Sequence, residues 1–121
     1  MLGQYITIDN KEYLLKATVN SMIEFMNKYP TIFKKFTDGM VDIEVIRILF
    51  YLQLKNKEND LKKLKLEDAG EMMTQYFEDG GGYKEFMTLV ATVQAECLGM
   101  GELTDEIEEQ VEQTEDSGGN Q

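Results

Sequence analysis

Asp42-Ile43-Glu44-Val45-Ile46-Arg47-Ile48-Leu49-Phe50-Tyr51-Leu52-Gln53-Leu54 is the stretch around which this chain must fold. Asp42 is placed to cap a helix, and Glu44 falls in the first turn, where the helix dipole favours an acid. Val41, Val45, Ile48, Leu49 and Leu52 share one face, and Ile43, Ile46, Phe50 and Leu54 cover much of the rest. A helix apolar nearly all round is stable in water only when other elements surround it. It is therefore read as the central helix, with Ile46, Leu49 and Phe50 in the middle of the core.

On its N-terminal side, Gln4-Tyr5-Ile6-Thr7-Ile8 and Lys11-Glu12-Tyr13-Leu14-Leu15-Lys16-Ala17 flank Asp9-Asn10. Asn tolerates left-handed backbone, so the pair reads as a β-hairpin. A lone hairpin is marginal in water and must lie on helices or on another chain. Ser21 with Glu24 three residues on has the form of a capping box, with Asn20 and Thr18 as alternative caps. Met22, Ile23, Met26 and Tyr29 follow as an apolar stripe, and Pro30 ends that helix or starts the next. Thr31 to Phe36 reads as a short helix with Ile32, Phe33 and Phe36 on one side, closed by a Thr37-Asp38-Gly39 loop.

On its C-terminal side, Lys55 to Lys65 reads as a solvated, charged loop. Leu66, Ala69, Met72, Met73, Tyr76 and Phe77 form an amphipathic helix opened by Glu67 and Asp68, and Gly80-Gly81-Gly82 reads as a flexible hinge after it. Tyr83, Phe86, Met87, Val90, Ala91, Gln94, Cys97 and Leu98 form the last helix, stopped by Gly99 and Gly101. The fold class is α+β and predominantly α: an N-terminal hairpin, four to five helices, and an acidic tail expected to be disordered.

Charge divides the chain at residue 101. Residues 102–121 carry eight acids and no base, from Glu102 to Asp116, out of a chain net of −11. The rest is nearly balanced, with 15 acids against 12 bases. Residues 1–101 are read as one helical domain and 102–121 as an extended, solvating segment.

The acidic balance argues against nucleic acid as a partner. No apolar run approaches the length of a bilayer span, and no leader pattern opens the chain, so no membrane role is expected. The single Cys97 suits a reducing compartment. With no histidine, the commonest general base and metal ligand is missing, and no Gly-rich phosphate loop appears. The expectation is a protein with no catalytic residues, no metal and no cofactor.

Two surfaces are candidates for binding. The chain's eight methionines are core filling or an adaptable groove, since Met packs against varied partners. Tyr29, Phe33 and Phe36 are core or an exposed patch beside Pro30. The candidate groove residues are Met22, Met26, Phe33, Phe36, Met72, Met73 and Tyr76. The hairpin adds open edges, and Tyr5, Ile6, Thr7 and Ile8, an uncharged strand, are the candidates for pairing between copies, with Tyr13–Ala17 as the other edge.

The order of these segments resembles a known family. A hairpin reading Ile6-Thr7-Ile8-Asp9-Asn10-Lys11-Glu12-Tyr13-Leu14-Leu15, a helix ending Lys28-Tyr29-Pro30, the stretch Asp42 to Tyr51, Leu64-Lys65-Leu66-Glu67-Asp68-Ala69-Gly70-Glu71 and a last helix are similar to the tail assembly chaperones of long-tailed bacteriophages and of prophages in Gram-positive bacteria. The resemblance covers roughly residues 4–100 and rests on order and local flavour, without a catalytic motif. Asn10 stands where relatives often carry Gly.

What the resemblance implies is a non-enzymatic chaperone of the infected host's cytoplasm, absent from the finished virion. Such a chaperone binds the tape measure protein, keeps its helices soluble, helps recruit tail tube subunits, and often forms oligomers. Relatives also exist as a short form and a frameshifted longer one, and Gly119-Asn120 fits a slip site of that kind. The competing reading is an acidic adaptor or inhibitor whose tail mimics nucleic acid.

Overall fold

Asp9 and Asn10 both adopt left-handed backbone, with φ of 52° and 64°. Those angles suit a tight two-residue hairpin turn. The turn joins β1 (Gln4–Ile8) to β2 (Lys11–Leu15) in antiparallel register, with Ile6 opposite Tyr13 and Ile8 opposite Lys11. The chain is seen here in a computed structural model that describes residues 3–97 and Gly99. The acidic stretch 102–121, the end of the last helix at Leu98 and the stop at Gly101 lie outside those residues.

Five helices follow: α1 (Val19–Lys28), α2 (Pro30–Thr37), α3 (Ile43–Leu54), α4 (Leu66–Glu78) and α5 (Tyr83–Cys97). The architecture is α+β and mostly helical, as the sequence indicates. α3 packs against every other helix and against β2, and α4 also meets β1. Asp42 caps α3 by accepting from the Val45 amide at 3.0 Å. Val45, Ile46, Leu49, Phe50 and Leu54 are fully buried. One expectation for this helix fails: Ile43 is 45% exposed, because the first turn projects beyond the elements that cover the rest.

Of the caps for α1 that the sequence leaves open, Thr18 is the one used, and Ser21 occupies the third helical position. Thr18 Oγ1 accepts from the Ser21 amide at 3.0 Å, and Ser21 Oγ accepts from the Thr18 amide at 2.9 Å. Glu24 is thereby released to pair with Lys55 at 2.9 Å and Lys28 at 3.6 Å.

The Gly80–Gly82 triplet is a built helix stop. The Gly80 amide donates to Phe77 O and the Gly81 amide to Tyr76 O, the paired closing bonds of a Schellman cap. Gly80 takes φ of 98°, which a side chain would resist. A Cβ on Gly81 would lie 2.1 Å from the Tyr76 ring, so that ring rests directly on the backbone.

The loop between α3 and α4 is a structural clasp. Asn59 Oδ1 accepts from the Leu14 amide at 2.8 Å, and Asn59 Nδ2 donates to Leu14 O at 2.7 Å and to Leu54 O at 3.0 Å. Asn56 Nδ2 also reaches Leu14 O, at 2.9 Å. Leu61 and Leu64 pack against the core. Leu14 consequently stays buried although it lies on the opposite face of the hairpin from Leu15. Inside, Gln53 Nε2 donates to Val90 O at 2.9 Å and to Gln94 Oε1 at 3.1 Å, tying α3 to α5.

Candidate functional site

The first turns of α3 and the middle of α4 do not close on each other. Between them lies a groove of about 340 Å³ lined by Ile43, Glu44, Arg47, Gly70, Met73, Thr74 and Phe77. Spacing explains the lining. Ile43 and Arg47 are four apart on α3, and Gly70, Met73, Thr74 and Phe77 follow three- and four-residue steps on α4, so each set shares a helix face. Met73 and Phe77 form the apolar floor, with Met73 buried and Phe77 half-buried against the core.

Aromatic contacts hold that floor in place. Phe77 stacks edge-on against Phe86 at 5.6 Å, and Phe86 meets Phe50 of α3 at 4.9 Å in the same manner. Tyr83 continues the surface, its ring 6.0 Å from Phe77 and 40% exposed. Partial burial pushes the Tyr83 phenol above its usual pKa, and the nearby Asp42 carboxylate pushes it further. Tyr83 thus spans from the start of α5 towards the cap of α3.

Charge at the groove is uneven. Glu44 is bound to Lys35 at 3.3 Å, and the same ammonium holds Asp42 at 3.3 Å. Arg47 is half-buried in the groove wall, and its side chain makes no hydrogen bond or ion pair among the described residues. A larger depression beside β1 and α5, about 510 Å³, is lined by Gln4, Lys84, Glu85, Thr88, Leu89 and Thr92.

The residues singled out in the sequence fall in different places. Met73 lies on the groove floor, and Met72 and Tyr76 are half-buried on the same helix, packed against the core. Met26 is exposed and joins Val19 and Ile23 in an outward stripe on α1 at the i, i+4, i+7 spacing of one helix face. Met22 is half-buried, its sulfur 3.9 Å from Gln94 Nε2. Phe33 is half-buried against Phe25, ring centroids 5.3 Å apart.

Phe36 is a correction: it is fully buried, 5.8 Å from Phe25, because α2 folds its apolar side onto α1 and α3. Tyr5 and Thr7 are exposed as an interface would need, but Ile6 and Ile8 are buried in the core. Lys16 N donates to Gln53 O at 3.2 Å, and with the Asn56 and Asn59 bonds this occupies the Tyr13–Ala17 edge. Pairing through Leu14 and Lys16 is blocked by the chain's own α3 and the loop after it.

Ile43, Arg47 and Gly70 are groove residues that sequence reasoning did not single out. The available signal was Arg47, a charge on an otherwise apolar helix. Among the described residues no three His, Cys, Asp or Glu side chains converge as metal ligands, and no helix is long and apolar enough to cross a membrane. No family model, curated protein or solved structure matches the chain.

Proposed function

We propose that this protein is a non-catalytic assembly chaperone that holds an amphipathic helix of a structural partner, as do the phage tail assembly chaperones it resembles. The observation that carries the reading is the open groove floored by Met73 and Phe77 and edged by exposed Ile43. A groove between two helices receives apolar anchors presented at i, i+3 or i+4 and i+7. The stripe of Val19, Ile23 and Met26 on α1 offers a second apolar strip for the same partner.

On this reading the partner is the tape measure protein, whose long helices need cover until tail tube subunits arrive. The work takes place in the host cytoplasm, and the acids of 102–121 keep the complex soluble. The test is co-expression with a tape measure protein of a long-tailed phage. The wild-type chain is expected to bring that protein into the soluble fraction, and Ile43→Asp to leave it in the pellet. Equal solubility with both variants contradicts the groove. Deleting residues 102–121 is expected to preserve binding; loss of binding favours an acidic mimic.

A further inference from the structure

We infer that the α3–α4 groove selects its helix by charge: Arg47 receives a carboxylate of the partner in the notch that Gly70 leaves open. The inference rests on the helix-holding reading and adds the chemistry of the ligand to it.

Arg47 is the only arginine in the chain. It stands half-buried in a protein with 23 acids, yet among the described residues none of them pairs with it. Of the acids on or beside α3, Glu44 and Asp42 are paired with Lys35, and Glu24 with Lys55 and Lys28. A partly desolvated guanidinium without a counter-charge is a strong place to bind one. Its planar fork matches a carboxylate through two parallel hydrogen bonds, and its weak hydration suits an apolar setting better than an ammonium would.

Gly70 is the second, independent observation. Glycine inside a helix is destabilising relative to alanine. Packing within the fold does not require it here, since an added Cβ would meet only Arg47 Cδ, at 3.4 Å. The missing side chain instead keeps space open beside the Arg47 side chain, next to the apolar floor. The occupant that fits both is an amphipathic helix with an aliphatic ridge and an Asp or Glu on one flank of it. A polyanion fits poorly, because Glu44 lines the same groove.

The test is a surface-displayed library of amphipathic helices, with the positions flanking the apolar ridge randomised, selected against the whole chain. The recovered helices are expected to share the ridge and an acid at one fixed flank. Changing that acid to Gln is expected to weaken binding about tenfold, since hydrogen bonds to charged groups are among the strong ones. On Arg47→Met the same change is expected to alter binding by under about twofold, with Arg47→Lys intermediate because it keeps the charge and loses the fork. Gly70→Ala is expected to reduce the acid preference without lowering the melting temperature, which separates notch filling from misfolding.

Helices recovered with the ridge but without an acid preference overturn the charge selection and leave the groove standing. An acid preference that survives in Arg47→Met also overturns it. Recovery of no ridge, or binding indifferent to Ile43→Asp, overturns the groove reading itself.

Discussion

The side chain of Asn59 pairs with the backbone of Leu14 as a neighbouring strand would, accepting from its amide at 2.8 Å and donating to its carbonyl at 2.7 Å. In a hairpin closed by a two-residue turn, the groups of Leu14 point away from β1. Left open, they form half of an aggregation-prone edge. Asn59→Ala strands the amide in a partly buried setting, while the carbonyl keeps its bond from Asn56 Nδ2 at 2.9 Å. The substitution is expected to destabilise the fold by about 1–3 kcal/mol in chemical denaturation. A loss below about half a kcal/mol shows that the clasp is decorative.

With β2 clasped, the remaining edge is β1. Tyr5 and Thr7 lie at positions whose backbone groups point outward, and β1 carries no charge to repel a copy. An antiparallel pair centred on Ile6 would set Tyr5 against Thr7 of the second copy. The hypothesis is self-association through β1 at micromolar concentration, read by light scattering. Thr7→Pro is expected to shift the population to monomer, because it removes an outward donor and no hairpin bond. A wild-type chain that stays monomeric at high concentration contradicts it.

Leu49 is fully exposed to core neighbours and hidden from water, on the helix that every other helix touches. Leu49→Ala is expected to cost about 2–5 kcal/mol, from lost transfer energy and the cavity left behind. A loss under about half a kcal/mol makes α3 peripheral.

The Glu24–Lys55 pair ties α1 to the end of α3 and gives stability two pH limits. Burial pushes the Glu24 carboxyl up, but Lys55 at 2.9 Å, aided by Lys28, more than reverses this and holds it below its usual 4.5. Burial likewise pulls Lys55 down, and Glu24 more than reverses that, raising it above its usual 10.5. The lowered acid contributes stability present above pH 4.5 and lost as pH falls through its folded value. The raised base contributes stability present below pH 10.5 and lost as pH rises through its folded value. Both groups are partly solvated, so the pair is worth under about 1 kcal/mol at neutral pH. Glu24→Gln is expected to remove that increment at pH 7 and to narrow the difference from wild type below pH 4. An unchanged difference across that range contradicts the pairing.

Elements set by local chemistry were readable from the residues alone. Asp9-Asn10 specifies its turn, Asp42 its cap, and the all-round apolar pattern of 43–54 the burial of α3. What escaped reading depends on partners distant in sequence. The 55–65 segment looks like solvated charge because Asn56 and Asn59 bind a strand more than forty residues away. Thr18, which takes the cap, was one of the alternatives read, but Lys55, which claims the glutamate, lies 31 positions away. Phe36 looked as available as Phe33 until α2 folded onto α1 and α3. The groove itself exists only as the gap between two helices, so Arg47 and Gly70, twenty-three positions apart, give no joint signal in the sequence.

The most direct measurement is methyl NMR of the chain, labelled at Ile and Met, titrated with the soluble partner helix. The methyl signals of Ile43 and Met73 are expected to shift first and furthest, those of Ile46 and Ile48 in the core to move little, and Ile43→Asp to abolish the response. Shifts that leave Ile43 and Met73 unmoved while the partner binds, with the response confined to β1 or to residues 102–121, would contradict the α3–α4 groove as the seat of the helix.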